Sequence, residues 1–195
     1  MLHELLKDKK LVLASASPRR LEIFKMLGLS PLIIPADVHE PIDERPPWIL
    51  VKHHASHKAQ TIKKLFDDNS VIVAADTLVC IDKVTLGKPE SKAEAERYLN
   101  MLSGKSHVVY TGVSILWRNK ELVDYAKTTV KFKELTEQEI KEYIKTKEPM
   151  DKAGAYGIQG YGCQFITGIS GCYFNVMGFP VQLFYKMLEE LLKNE

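Results

Sequence analysis

The feature that most constrains the fold is a short apolar segment followed at once by the start of a helix. Residues 11–14 (Leu-Val-Leu-Ala) are typical of a buried strand. Ser17 then suits the N-cap, where its hydroxyl can accept a backbone hydrogen bond, and Pro18 suits the first helical position. A strand that passes directly into a helix indicates a protein in which both element types contribute to one fold.

The first turn of this helix carries two arginines, Arg19 and Arg20. Cations are unfavourable there, because the helix dipole is already positive at its N-terminus. An anion held between the helix start and the guanidinium groups would remove the conflict, and phosphate is the usual anion at such a place. This segment alone fits two solvated arginines equally well, so the phosphate interpretation depends on the rest of the chain.

Composition narrows the function classes. The chain has 195 residues and a formal net charge of +2, which argues against a broad nucleic-acid interface. We expect no membrane association, since no apolar stretch approaches the roughly 20 residues of a span and the first ten residues do not resemble a signal peptide. The three cysteines lack metal-ligand spacing, which favours buried free thiols and a cytoplasmic location. Pairing of Cys163 with Cys172 stays open.

Helices and strands alternate along the chain, which predicts a mixed α/β fold without fixing the strand order. Capping boxes at residues 91–94 and 136–139 mark two helix starts. An acidic, proline-rich loop covers residues 37–47. Predicted helices cover residues 19–27, 48–66, 91–103 and 183–192, with another from 136, and predicted strands cover 31–35, 71–75, 108–117 and 123–132 around a turn at 118–120.

Four polar residues have two interpretations each. Asp76 follows five apolar residues at the predicted end of a buried strand, where a carboxylate is either a structural hydrogen-bond acceptor or used with a metal or a proton. Lys58 flanks the apolar face of its helix, so its ammonium reaches either a cleft or solvent. Glu40 and Lys88 lie in predicted loops, where solvated side chains are the default.

A glycine-rich segment occupies residues 151–160 (Asp-Lys-Ala-Gly-Ala-Tyr-Gly-Ile-Gln-Gly). Glycines at this density allow unusual backbone angles and close approach to a ligand. The segment matches neither a P-loop nor a dinucleotide motif. We interpret it as a binding loop.

Several short motifs follow one another along the chain. They are residues 15–20 (Ser-Ala-Ser-Pro-Arg-Arg), 75–77 (Ala-Asp-Thr), 87–89 (Gly-Lys-Pro), 102–104 (Leu-Ser-Gly) with 110–112 (Tyr-Thr-Gly), and the glycine-rich segment. This ordered set resembles the Maf family of nucleoside triphosphate pyrophosphatases, and the resemblance runs from residue 11 to residue 180 without a large insertion.

The resemblance implies a fold and an activity. The expected fold is a single domain over residues 1–195, with an elongated mixed sheet, flanking helices and a cleft between two lobes, as in the inosine triphosphate pyrophosphatases. The expected reaction is hydrolysis of dTTP or UTP between the α- and β-phosphates, giving the monophosphate and pyrophosphate with Mg²⁺ or Mn²⁺. The resemblance also implies a homodimer, and it leaves modified pyrimidine nucleotides open as substrates.

The resemblance further implies roles for individual residues. Asp76 is the expected proton acceptor, and Glu40 and Asp76 are the carboxylates available to hold the metal. Lys152 stays open between a phosphate ligand and a structural ion pair with Asp151. The residues expected to bind the substrate phosphates are Ser15, Arg19, Arg20, Lys58 and Lys88.

Three positions bear on substrate choice. Arg19, Thr77 and Gln159 match the branch that prefers dTTP and UTP, whereas the branch acting on 7-methyl-GTP has Trp, Gln and Glu there. The Gln159 amide can donate and accept, which matches the O4 and N3–H edge of uracil or thymine.

A second function remains open at this point. The family is associated with inhibition of septum formation, so the chain could be a nucleotide-sensing regulator that binds without turnover. That alternative retains the phosphate-binding arginines and has no use for Asp76.

Overall fold

Strands and helices alternate in the computed structural model, which describes residues 1–193. Three short 3-10 segments, Glu148–Asp151, Ala153–Ala155 and Gly160–Phe165, contain much of the glycine-rich loop. The helices are α1 (Leu2–Leu5), α2 (Pro18–Met26), α3 (Pro47–Lys63), α4 (Lys92–Leu102), α5 (Glu137–Lys145), α6 (Tyr173–Met177) and α7 (Val181–Lys193). The strands are β1 (Lys10–Leu13), β2 (Leu32–Ile33), β3 (Ser70–Ile81), β4 (Val84–Leu86), β5 (Ser106–Trp117), β6 (Lys120–Phe132) and β7 (Ile166–Ser170).

The strands form one mixed sheet in the order β2-β1-β3-β5-β6-β7, with β4 paired to β3. β1 runs parallel to β2 and β3, and Leu13 lies opposite Ile33 and Val73. β4 runs antiparallel to β3 across a tight turn at Asp82 and Lys83, whose φ angles of 48° and 67° suit a two-residue hairpin. β7 runs antiparallel to β6. The predicted mixed α/β class is confirmed.

The chain divides into two compact units. The single domain expected over residues 1–195 stays a prediction, and residues 194 and 195 lie outside the described part. The first unit consists of Met1–Asp76, Thr111–Ala126 and the residues from Gly178 onward, and the second of Thr77–Tyr110 and Lys127–Met177.

Each unit has an apolar core of its own. In the first unit, the rings of Phe24, Phe179 and Phe184 pack with centroids 4.9 to 5.6 Å apart. In the second unit, Phe132 packs edge-on against Tyr156 with centroids 4.7 Å apart. Full burial of such a side chain contributes roughly 2–3 kcal/mol, so these cores fix the elements that carry the polar residues described below.

β3 is longer than predicted. The apolar run at residues 71–75 indicates a strand that ends at Asp76, but β3 continues to Ile81. Pairing of Val79 with Leu86 and of Ile81 with Val84 extends the strand, and these partners come from β4. The prediction that Asp76 ends a strand is therefore wrong, since Asp76 lies inside β3.

Two smaller expectations are also corrected. Ser17 takes the N-cap position, but its side chain makes no capping hydrogen bond. Its backbone N–H donates to the Ser15 hydroxyl instead, at 3.2 Å. All three cysteines are free thiols, but the expectation that they are buried is wrong, since Cys163 is exposed and Cys80 and Cys172 are only half-buried.

The capping boxes were more accurate predictions. Thr136 and Glu139 form the reciprocal capping box that opens α5. The box predicted at residues 91–94 is only half formed: Ser91 caps α4 by accepting from the Glu94 backbone N–H, but the Glu94 carboxylate accepts from the Glu90 backbone N–H. Among the helices described within residues 1–193, none is long and apolar enough to cross a membrane.

Candidate active site

The candidate site begins where the parallel pairing of β1 with β3 stops. Val73 is the last residue of β3 in register with β1, and Asp76 lies three residues further along. Ser15 lies two residues beyond Leu13, the last residue of β1. Ligands of α/β sheets commonly bind at the carboxyl ends of parallel strands, which is where Ser15 and Asp76 lie.

Four side chains of the first unit meet at this edge, and we refer to Glu40, His54, Lys58 and Asp76 as the Asp76 cluster. The Lys58 ammonium lies 3.0 Å from Asp76 Oδ1 and also contacts the Glu40 carboxylate. His54 Nδ1 lies 3.1 Å from Asp76 Oδ2. His54 and Lys58 are one helical turn apart on α3, so both reach Asp76 from the same helix face.

The cluster is largely withdrawn from water. The exposed fractions of the side chains are 1% for His54, 10% for Lys58 and 11% for Asp76, and Glu40 is one-third exposed at 33%. The solvent position considered for Lys58 is therefore not adopted, and Glu40 is partly exposed but paired with Lys58. The buried Asp76 carboxylate needs positive charge nearby, and Lys58 supplies it.

Asp76 is ionised at neutral pH. Burial by itself raises the pKa of this carboxyl, but the Lys58 charge, the His54 hydrogen bond and the Arg20 charge more than offset it, so the pKa lies well below its usual value. The group is therefore an acceptor with a permanent negative charge.

Arg20 is held by the protein rather than by solvent. Its Nε donates to the Gly178 carbonyl at 2.8 Å, and its Nη1 donates to the Ser15 hydroxyl at 3.0 Å. Burial lowers the pKa of Arg20, while the negative charges of Asp76 and Glu40 oppose that effect. Arg20 is buried, so it is not the solvated first-turn arginine of the alternative interpretation.

Ser15 and Arg19 flank this arginine. The Ser15 hydroxyl accepts from Arg20 and from the Ser17 backbone, which leaves its own O–H as the group that can donate to an anion. Arg19 is half-buried, and its charge acts on Arg20. The sequence-predicted residues Ser15, Arg20, Glu40, Lys58 and Asp76 therefore come together around the ends of β1 and β3.

The remaining predicted residues belong to the second unit. Thr77 follows Asp76 in β3 and is half-buried. Lys88 is exposed in the loop after β4. Its neighbour Gly87 accepts a hydrogen bond from the Gly154 backbone at 2.9 Å, which ties the Lys88 loop to the glycine-rich loop.

The glycine-rich loop is fastened by Glu148. The Glu148 carboxylate accepts from the Tyr143 hydroxyl at 2.9 Å and from the backbone of Tyr161 and Gly162 at 2.8 and 3.1 Å. Gly160 has a φ of +69°, and a Cβ there would lie 2.4 Å from Glu148 Oε2, so only glycine fits.

Gln159 takes no part in fastening this loop. Its side chain is half-buried and makes no hydrogen bond to the residues between Met1 and Lys193. Lys152 is committed elsewhere, since its ammonium donates to Asp151 at 2.7 Å and to the Glu148 carbonyl at 2.8 Å. Of the two alternatives for Lys152, the structural ion pair is the one present.

Sequence reasoning missed His54 and Glu148. The available signal for His54 was its spacing, because it lies four residues before Lys58 on the buried face of α3. Glu148 lies outside the glycine-rich segment, and its partners Tyr161 and Gly162 are more than ten residues away. No local pattern marks such contacts.

The donor atoms of Glu40, His54 and Asp76 lie within 4.8 Å of one another and could hold a metal ion. Carboxylate oxygens suit Mg²⁺ and Mn²⁺. The two carboxylates already share one cation, the Lys58 ammonium. The residues present therefore fit a divalent cation, with Glu40 and Asp76 as the oxygen ligands.

Comparisons with known proteins show the family of this chain. The chain matches the Maf-like protein family over residues 10–191, and it belongs to that family. It is 44% identical over 192 residues to the dTTP/UTP pyrophosphatase of Caldicellulosiruptor bescii, with 94% of this chain and 95% of the relative covered. It is 43% identical over 183 residues to the dTTP/UTP pyrophosphatase of Bacillus anthracis, with 93% and 95% covered.

The fold is also similar to a solved structure. The Staphylococcus aureus Ham1 protein superimposes with a TM-score of 0.53 at 15% identity, covering 93% of this chain and 99% of that one. At this identity the similarity concerns the fold alone. The family expected from the ordered motifs is confirmed.

Proposed function

We propose that this protein hydrolyses dTTP and UTP to the nucleoside monophosphate and pyrophosphate. The observation that carries the proposal is the Asp76 cluster, a buried and ionised carboxylate held against a lysine and a second carboxylate in a chain of the Maf family. The substrate is supported by two relatives above 40% identity, which are named dTTP/UTP pyrophosphatases and align along 95% of their length.

Asp76 is assigned the proton acceptor role. Cleavage of a phosphoanhydride needs an oriented water and neutralisation of charge on the phosphoryl oxygens. A low pKa weakens a general base, so Asp76 acts by orienting the attacking water as well as by taking its proton.

The phosphates are assigned to Ser15, Arg19, Arg20, Lys58 and Lys88. A nucleoside triphosphate is strongly anionic, and cations on several segments neutralise it while charge develops on the leaving pyrophosphate. The Ser15 hydroxyl contributes the neutral donor described above. Arg20 acts from a fixed position, because Ser15 and Gly178 hold two edges of its guanidinium group.

A divalent cation, Mg²⁺ or Mn²⁺, is assigned to Glu40 and Asp76. When bound, it supplies Lewis-acid polarisation of phosphoryl oxygens. The chain's own contribution is to keep both carboxylates ionised and close together at the ends of β1 and β3.

Base selectivity is assigned to Arg19, Thr77 and Gln159. The Gln159 amide presents a donor and an acceptor, which complement the O4 and N3–H groups of uracil and thymine. Its lack of a hydrogen bond within the described chain supports this assignment, because the loop is fastened by Glu148 instead. Modified pyrimidine nucleotides that keep this edge are included in the proposal.

The cytoplasmic location and the homodimer expected from the sequence remain part of the proposal. The three free thiols support a reducing compartment. The small net charge supports a nucleotide substrate without a nucleic-acid partner.

The experiment is incubation of the full chain with dTTP, UTP, CTP, GTP and ATP in the presence of Mg²⁺ or Mn²⁺, with products separated by anion-exchange chromatography. We expect dTMP and UMP with pyrophosphate, and no turnover with excess EDTA. Diphosphate with orthophosphate as the main products would contradict the assigned bond. Tight binding of dTTP without any product would favour the regulator that senses nucleotide without turnover.

A further inference from the structure

His54 is the one member of the Asp76 cluster to which the proposed chemistry gives no role. Its side chain is 1% exposed and contacts the proposed proton acceptor directly. Its Nε2 is buried without a hydrogen-bond partner in the described chain. An imidazole is a costly choice for such a position unless its polar contact is needed, since an apolar side chain fills space without an unsatisfied nitrogen.

The direction of the His54 hydrogen bond follows from the state of its partner. The Asp76 carboxylate forms an ion pair with the Lys58 ammonium and therefore offers only acceptor oxygens, so the contact assigns the His54 proton to Nδ1, which donates to Asp76 Oδ2. Lys58 donates to the other oxygen, Oδ1. One donor on each oxygen fixes the rotation of the carboxylate plane, which a single partner would leave free.

Other buried residues of α3 show which kind of side chain would serve packing alone. The buried positions beside His54 are Val51 and Ala55, both fully buried and apolar. They pack without polar contacts, whereas His54 directs a donor at a residue 22 positions away in another element. The ring is therefore matched to Asp76 rather than to the packing of α3.

We propose that His54 is a positioning residue, which holds the Asp76 carboxylate in the orientation needed to orient water and the substrate. This inference rests on the proposed function of Asp76. Loss of the His54 contact leaves the phosphate-binding residues in place, so it lowers kcat while KM changes little. Residues that orient a reacting or metal-binding group typically contribute about 10-fold to 100-fold.

The test compares His54→Leu, His54→Asn and a control on the same helix. His54→Leu removes the donor and keeps an apolar volume. His54→Asn restores a donor, because its side-chain nitrogen is as many bonds from Cα as imidazole Nδ1. His57→Leu is the matched control, since His57 is exposed on α3. Circular dichroism and thermal unfolding verify that each variant is folded.

We expect His54→Leu to lower kcat for dTTP by at least about 10-fold, with KM within about threefold of the original. His54→Asn should recover most of kcat, and His57→Leu should match the original protein. If His54→Leu does not fold, His54→Gln takes its place. The glutamine nitrogen is as many bonds from Cα as imidazole Nε2, so it should not replace the Nδ1 donor, and kcat of His54→Gln should be lower than that of His54→Asn.

Two outcomes would overturn the role of His54 while the proposed function stands. The first is a folded His54→Leu protein with kcat within twofold of the original. The second is a His54→Asn protein that is no faster than His54→Leu or His54→Gln. Absence of dTTP turnover in the unmodified chain would instead overturn the proposed function, and the positioning role with it.

Discussion

Replacing Gln159 by glutamate tests how the base is selected. The substitution removes the donor and keeps an acceptor of nearly the same size. If Gln159 contacts the O4 and N3–H edge of uracil or thymine, the new carboxylate faces O4, and two acceptors then oppose each other. Leaving a buried polar pair unsatisfied costs about 1–3 kcal/mol.

The structure holds the loop that carries Gln159 in place. Glu148 holds the loop through the backbone of Tyr161 and Gly162, and Gly160, which joins Gln159 to Tyr161, has a conformation that only glycine adopts readily. The backbone beside Gln159 is therefore held in place. At 1.36 kcal/mol per factor of ten, about 1–3 kcal/mol corresponds to between about 5-fold and about 150-fold in kcat/KM.

The assay is kcat/KM for UTP, dTTP and GTP with the original chain and with Gln159→Glu. We expect UTP and dTTP to lose at least about tenfold, whereas GTP, whose edge offers donors, loses less or gains. Gln182→Glu is the matched control, because it adds the same charge at an exposed glutamine of α7, away from the glycine-rich loop in the sequence. An equal loss for UTP and GTP would refute base recognition by Gln159 and leave the pyrophosphatase reaction standing.

Two further predictions concern the phosphate-binding residues and the second unit. Lys88→Ala should raise KM for every nucleotide alike without changing the unfolding temperature. Arg20→Ala should raise KM and also lower the unfolding temperature, because it removes the donor to the buried Gly178 carbonyl. Equal unfolding temperatures for the two variants would contradict a structural contribution from the Arg20–Gly178 hydrogen bond. Burial lowers the pKa of His107 from 6.5 to about 4. Between these two pH values the unfolded chain is protonated at His107 and the folded chain is not, so the free energy of unfolding falls as the pH is lowered. Urea unfolding at pH 5 should show about 2 kcal/mol less stability than at pH 7 from this group, and His107→Gln should remove that difference if the His107 assignment is right.

Much of the element pattern could be predicted from local sequence. The capping boxes and the periodicity of α3 are local properties, so Thr136 and the buried face of that helix were predicted from neighbouring residues. The end of β3 could not be predicted, because its extension depends on pairing with β4. Asp76 interrupts the apolar run without ending the strand.

The residues of the candidate site also divide into those that local sequence could predict and those that it could not. Glu40, Lys58 and Asp76 were identified singly, from their motifs and positions. Their mutual contact depends on the loop before α3 folding back onto that helix, which local patterns do not encode. His54 was missed because a histidine on an apolar helix face is ordinarily a satisfied core residue, and only the structure places its Nδ1 against Asp76.

The most direct test of the central claim is turnover and binding of dTTP by Asp76→Asn. The amide is nearly isosteric with the carboxylate but has one acceptor for the two donors of His54 and Lys58, so thermal unfolding is measured first. We expect dTTP affinity by calorimetry to stay within a few fold, while pyrophosphate release falls by at least about 100-fold. Near-normal pyrophosphate release from a folded Asp76→Asn protein would contradict the assignment of catalysis to the Asp76 cluster.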